Sequence, residues 1–167
     1  VTTSSPRSSP RDAGASTFRI RPARRGDAEA LATLLKELGY PNAADNQTVN
    51  WVVSHPEIEV IVAADGADRP VGMLSFSHRP QLRMKGRIGT IDELVVTQAW
   101  RGKGVGKALL QKVVERARTL TVKRLELTVH VELGPPPAPF LEKCGFASAG
   151  GTVFRYPGFD FMRAPSS

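Results

Sequence analysis

Apolar and polar residues follow two rhythms along this chain, and each change of rhythm marks an element. FRIRPA at 18–23 alternates, as a half-buried strand does. Within 27–38 the apolar spacing becomes three and four: Leu31, Leu34, Leu35 and Leu38 line one helical face, and Gly39 supplies a stop. NQTVNWVVS at 46–54 predicts a short second helix, ended by Pro56. IEVIVAAD at 58–65 and PVGMLSFSH at 70–78 predict strands around an Asp/Gly turn, hence a hairpin. A basic loop follows, and GTIDELVV at 89–96 predicts the next strand. The strongest helical pattern lies at 105–120, where Val105, Leu109, Val113, Ala117 and Leu120 recur at spacings of three and four. RLELTVHV at 124–131 predicts a strand, and FLEKCGF a short helix closed by Gly145. FASAGGTVFRY and FDFMR predict a final pair of strands. Three consecutive strands before the long helix predict a mixed sheet in an α+β (mixed α/β) fold, not a simple β–α alternation.

Composition sets limits around this pattern. A chain of 167 residues with 41% hydrophobic residues is the size of one domain with an ordinary core. Residues 1–17, rich in Ser, Thr, Pro and Arg, lack the apolar content to fold alone. The expectation is a weakly ordered extension followed by a single domain over 18–167. Lys and Arg total 23 against 16 Asp and Glu, and the net charge of +7 favours anionic partners without naming one. The single cysteine, Cys144, excludes an intramolecular disulfide. No apolar run approaches the ~20 residues of a membrane span, and the N-terminus lacks the apolar core of a secretory signal. A cytoplasmic location away from membranes is therefore expected.

The segment that carries chemistry is ELVVTQAWRGKGVGKALLQKVVERA, 93–117. An apolar strand passes through Gly102, Gly104 and Gly106 into the long helix. A helix N-terminus leaves backbone N–H groups without partners, and glycines let an anion approach them closely. The helix dipole alone contributes roughly 0.3–1 kcal/mol, so several N–H groups and the cations Arg101, Lys103 and Lys107 must act together. The residues predict a pyrophosphate cradle at 101–107. A P-loop needs four residues between its glycines and a hydroxyl after its lysine. Here three residues separate Gly102 from Gly106, and Ala108 follows Lys107. The dinucleotide fingerprint needs glycine where Lys107 stands, in an opening βαβ unit. A plain basic surface turn is the bland alternative.

Arg101-Gly102-Lys103-Gly104-Val105-Gly106 closely resembles motif A of the GNAT superfamily of N-acetyltransferases, R/Q-x-x-G-x-G/A, and FLEKCGF resembles that family's F-Y-E-K-x-G-F box. The resemblance covers about residues 18–162. It implies a mostly antiparallel, twisted sheet of six to seven strands, splayed at the central strand and flanked by about four helices. It also implies acetyl-coenzyme A as co-substrate, with no metal. The co-substrate's phosphates would lie on Arg101, Gly102, Lys103, Gly104, Val105, Gly106 and Lys107. Its pantetheine arm and thioester would lie along Leu94, Val95 and Val96, where the family's strand bulges.

The implied reaction is direct acetyl transfer to a primary amine. The amine must first lose a proton, since alkylamines titrate near about 10.4. Developing negative charge needs a donor such as a strand N–H, and the leaving thiolate benefits from an acid. Glu93 and Asp92 are the candidate bases. Strict alternation places them on opposite faces, so one at most reaches the acceptor cleft, and Glu93 is favoured. The alternative is that either pairs with a base of the 79–87 loop or caps a sheet edge. Leu141 stands where the family box carries Tyr, so the usual acid is missing. Tyr156 is the nearest replacement, with packing or substrate recognition as its plainer role. Cys144 is a weaker candidate and reads as a small buried residue. His55, His78 and His130 are too scattered to suggest a metal site.

The resemblance implies a small-molecule or peptide amine as acceptor, and the loops near 38–52 and 148–159 show no charge code that narrows it. The missing Tyr keeps open a second class, an acetyl-CoA-binding regulatory or interaction module with little turnover. Nucleic acid is disfavoured, because no aromatic-basic interleave accompanies the charge. The basic run at 79–87 reads as solvated surface, with contact to an acidic partner as the alternative. The pattern is compatible with a homodimer and does not specify one.

Overall fold

The computed structural model describes residues 17–129, 137–154 and 156, in two compact units divided between Pro136 and Pro137. The first unit holds five strands and three helices. These are β1 (Arg19–Pro22), α1 (Ala28–Leu38), α2 (Asn46–Val53), β2 (Ile58–Ala64), β3 (Pro70–Gln81), β4 (Gly86–Val96), α3 (Val105–Thr119) and β5 (Val122–Leu127). They form one sheet in the order β1-β2-β3-β4-β5. The first four strands run antiparallel to their neighbours, and β5 joins β4 in parallel through the α3 crossover. The mixed sheet thus follows from the run of three strands before the long helix.

The two faces of the sheet take different helices. Leu31, Leu34 and Leu35 of α1 and Val49 of α2 bury against Val60, Val62, Met73 and Val95. On the other face α3 buries Val105, Leu109, Val113 and Ala117 of the predicted stripe, with Leu110 beside them, while Leu120 follows the helix end and is half-buried. Gly72 lets the start of α3 sit down on the sheet: a Cβ there would lie 3.0 Å from Val105 and 3.2 Å from the Val95 carbonyl. Gly39 ends α1 in the left-handed conformation, φ 109°, as its stop role requires.

Arg21, buried on β1, fixes the entry to α1. Its guanidinium meets the Asp27 carboxylate with two bonds, 2.7 and 2.9 Å, while its Nε bonds Asp68 at 2.8 Å. Burial works against the Asp27 charge, but the bonds from Arg21 and the Arg24 N–H outweigh it and lower the carboxyl's pKa. The Arg19 and Arg21 bonds hold Asp68 down at about 2.

Several boundaries differ from the sequence reading. The basic segment after residue 78 is mostly strand: β3 continues to Gln81 and β4 begins at Gly86, so Arg79 and Arg87 stand opposite Ile88 and Pro80 in the ladder. Ladder bonds join main chains, so polar side chains at a sheet's wet end do not stop it. The sheet has five strands among the described residues, short of six to seven. Residues 146–154 carry no strand, since no ladder partner meets them among the described residues, and the predicted strand at 159–163 lies outside those described. The end of the 124–131 strand also lies outside them, with β5 stopping at Leu127. The second unit contributes α4 (Ala138–Lys143), with Gly145 following at φ 89°.

Candidate active site

The site grows from an irregularity in β4. Register against β3 runs Ser75↔Glu93 and then Phe76↔Ile91, so Asp92 is an extra residue without a partner, a β-bulge. Because one residue is inserted, alternation breaks. The Ser75 hydroxyl donates to the Glu93 carboxylate, while Asp92 and Ser77 line one cleft. Ser75 and Ser77 are two apart on one strand and share its α1/α2 face. Both carboxylates therefore lie on that face, which corrects the expectation that alternation sends them to opposite sides.

Their electrostatics follow from this crowding. Burial, and then the nearby Asp92 charge, push Glu93 up to about 7. Burial raises Asp92 too, against the opposing bonds from Ser77. Glu93 also gives its N–H to Ser75 Oγ at 3.1 Å, so Ser75 holds both its backbone and its side chain. Sequence reasoning missed Ser75 and Ser77. Their signal was two hydroxyls at alternate positions in an otherwise apolar strand.

Beyond the bulge, β4 has an edge without a ladder partner among the described residues, an open edge. Its ladder to β5 covers only the pairs from Arg87 to Ile91. The Thr97 N–H donates to the Val71 carbonyl, so residues 97, 95 and 93 turn their peptide groups toward β3, and Val96 and Leu94 turn theirs the other way. The Val96 carbonyl takes the Arg101 Nε at 2.9 Å. The N–H groups of Leu94 and Val96 and the Leu94 carbonyl face the gap where β4 leaves β5. Val95, between them, buries its side chain in the core.

The glycine turn stands at the end of that edge. Gly102 and Gly104 have φ of 72° and 83°, which side-chain-bearing residues rarely adopt, and nothing lies within 4 Å of a Cβ at either. Gly104 caps α3, whose first intrahelical bond runs from the Ala108 N–H to the Gly104 carbonyl. The N–H groups of Val105, Gly106 and Lys107 therefore precede the helical ladder and point out of its end. Lys103 lies over the Trp100 ring at 5.1 Å, and Trp100 rests edge-on against Phe18. Glu37 of α1 braces the approach, accepting from Thr97 Oγ1 at 2.6 Å and the Gln98 N–H at 3.2 Å, 3.7 Å from Arg101. This brace was not legible, because 60 residues separate Glu37 from Thr97.

A family model described as the acetyltransferase (GNAT) family matches residues 28–146. The chain belongs to the GNAT family of acetyltransferases. This GNAT chain is 33% identical over 92 residues to glucosamine 6-phosphate N-acetyltransferase 1 of Oryza sativa subsp. japonica, covering 52% of each. It is 34% identical over 79 residues to the glucosamine 6-phosphate N-acetyltransferase of Trypanosoma brucei brucei, covering 47% of this chain and 51% of that protein. The chain spans about half the length of these curated relatives. A crystal structure of a transcriptional regulator from Bacillus halodurans C-125 matches with a TM-score of 0.74 at 26% identity, over 84% of this chain and 99% of that one. The glucosamine-6-phosphate N-acetyltransferase from Arabidopsis thaliana matches with a TM-score of 0.73 at 22% identity, over 86% and 99%, a likeness of fold.

Within this GNAT chain the open edge carries amide groups without ladder partners among the described residues, and the helix N-terminus carries N–H groups beside two lysines, a donor set suited to an extended, phosphate-bearing ligand. Tyr156 is exposed and lies in the second unit. Among the described residues, no three His, Cys, Asp or Glu side chains group as a metal site, and no helix is long and apolar enough to cross a membrane.

Proposed function

We propose that this chain is an acetyl-CoA-dependent N-acetyltransferase acting on a primary amine, with Glu93 as the base. Acetyl-CoA supplies the acetyl group as an activated thioester. Residues 101–107 hold its phosphates through main-chain N–H groups, with Lys103 and Lys107 adding charge. The stretch Leu94, Val95 and Val96 aligns its arm, and a free N–H of that edge is the donor for charge developing on the acyl oxygen. Glu93 receives the acceptor's proton at its carboxylate. A group near 7 suits this task, since it is largely ionised just above neutrality yet basic enough to take the proton. Tyr156 is assigned to return a proton on the leaving side.

The observation that supports this reading best is the bulge, which sets Glu93 on the α1/α2 face directly before the open edge. A thiol-release assay with an amine panel tests it. Glucosamine 6-phosphate heads that panel, because the Oryza and Trypanosoma relatives carry its name. Release that falls about 100-fold or more in Glu93→Gln is expected, and loss of release in Tyr156→Phe would support the acid. Calorimetric binding of acetyl-CoA with no release on any amine would favour the binding-module alternative.

A further inference from the structure

We infer that the cleft beside Glu93 selects amines that also carry an anionic group, with Asp92 receiving the ammonium end and Arg79 the anion. This deepens the acetyltransferase reading and rests on it for the place of the reacting amine.

The cleft is about 380 Å³, and its walls include His55, Glu57, Ser77, Arg79, Thr90 and Asp92. That size is near the lower end for small-molecule sites, so a compact acceptor fits it. The ladder orders its walls. Ser77 faces Thr90, and Arg79 faces Ile88 one pleat further from the bulge. Asp92, at the bulge and on the same cleft wall as Ser77, marks the end nearest Glu93 along β4. An ammonium held there lies one residue along β4 from Glu93, the carboxylate assigned to take its proton.

The other charges of the cleft are not equivalent. Glu57 lies 3.5 Å from Arg87, and Arg87 Nη1 lies 3.0 Å from His78 Nδ1, so these groups balance one another. Arg79 is exposed and has no carboxylate partner among the described residues, which leaves its guanidinium available to an anion. His55 accepts the Glu57 N–H at Nδ1, 3.2 Å, which places the proton of its neutral ring on Nε2 and adds a donor to the same cleft. Ser77 and Arg79 are two residues apart along a strand, about 7 Å. The acceptors that match are therefore small amines that also carry a phosphate or carboxylate, such as amino-sugar phosphates or ω-amino acids.

Matched pairs test this: glucosamine against glucosamine 6-phosphate, and pentylamine against 5-aminopentanoate. The wild type should show kcat/KM at least about tenfold higher for the anionic member of one pair or both, the scale of a charge-assisted contact. Arg79→Gln should bring that ratio to about one through KM, and Arg79→Lys should restore part of it. Asp92→Asn should raise KM for every amine. Equal rates for both members of each pair, or a loss in Arg79→Gln shared by both members, would overturn the assignment. Calorimetric titration of glucosamine 6-phosphate and 5-aminopentanoate into the protein with CoA gives an independent readout. Binding that Arg79→Gln weakens supports the cleft assignment even if release is absent, an outcome that would instead remove the acetyltransferase reading. No binding of either probe removes the cleft assignment, whatever the release assay shows.

Discussion

Ser75 holds Glu93 from two directions, its hydroxyl donating to the carboxylate and accepting the Glu93 N–H at 3.1 Å. The pair crosses from β3 to β4 beside the bulge, so the carboxylate's position is set by a neighbouring strand. Ser75→Ala should therefore leave the sheet intact while freeing the carboxylate. A fall in kcat of about tenfold, with KM for acetyl-CoA little changed, is expected from steady-state rates. An unchanged kcat would show that the serine does not position the base.

The charge state of Glu93 predicts a pH profile. Below about 7 the carboxyl is protonated and cannot accept a proton; above it the group is ionised. The rate constant kcat/KM should rise with pH through a midpoint near about 7. Residual activity of Glu93→Gln should lack that midpoint.

The same residue should cost stability. Its folded pKa is about 7 against an ordinary 4.5, so the folded protein prefers the proton more than the unfolded chain does. Stability from this group is fully present below pH 4.5 and is lost as pH rises to about 7. Glu93→Gln should thus raise the unfolding free energy at pH 8, by at most about 3 kcal/mol, seen as a higher Tm, and should give no gain at pH 4. A lower Tm at pH 8 would argue against a strained carboxylate.

Gly104→Ala tests the turn. A Cβ there meets nothing within 4 Å, so the cost is the backbone conformation at φ 83°. A stability loss of about 1 kcal/mol is expected in denaturant titrations. Weaker acetyl-CoA binding by calorimetry should accompany it, because the turn aims the free N–H groups of α3.

Asp27→Ala leaves the buried Arg21 guanidinium with one carboxylate in place of two. A loss of about 1.5–3 kcal/mol is expected, the scale of lost hydrogen bonds to a charged group with a partner left, seen in urea unfolding. The depressed pKa of Asp27 gives the matching acid dependence: its contribution is present above pH 3.8 and declines as pH falls further.

Most of this architecture was legible because it is periodic. The Leu31, Leu34, Leu35 stripe of α1 and the Val105 to Ala117 stripe of α3 bury as their spacing requires. The glycine turn was legible for a related reason: strand, glycines and helix are contiguous, so the helix end and its donors are a local consequence of order along the chain. Glu93 was found because a carboxylate in an apolar strand stands out.

What escaped the sequence is non-local. The bulge at Asp92 exists only in the register between β3 and β4, and it decides which face both carboxylates occupy. Ser75, Ser77 and Glu37 gain their roles from partners 15 to 60 residues away, and nothing in their immediate neighbours encodes that. The open edge of β4 likewise depends on where β5 stops pairing, at Leu127.

By itself, then, the order of residues determined most of the elements, the mixed sheet and the glycine turn at the start of α3, because periodicity and chain contiguity act over a few residues. The tertiary structure alone decided the face of Asp92, the clamp on Glu93 and the span between Asp92 and Arg79. Those are set by strand register, and register is a choice among long-range pairings that only the packed sheet makes.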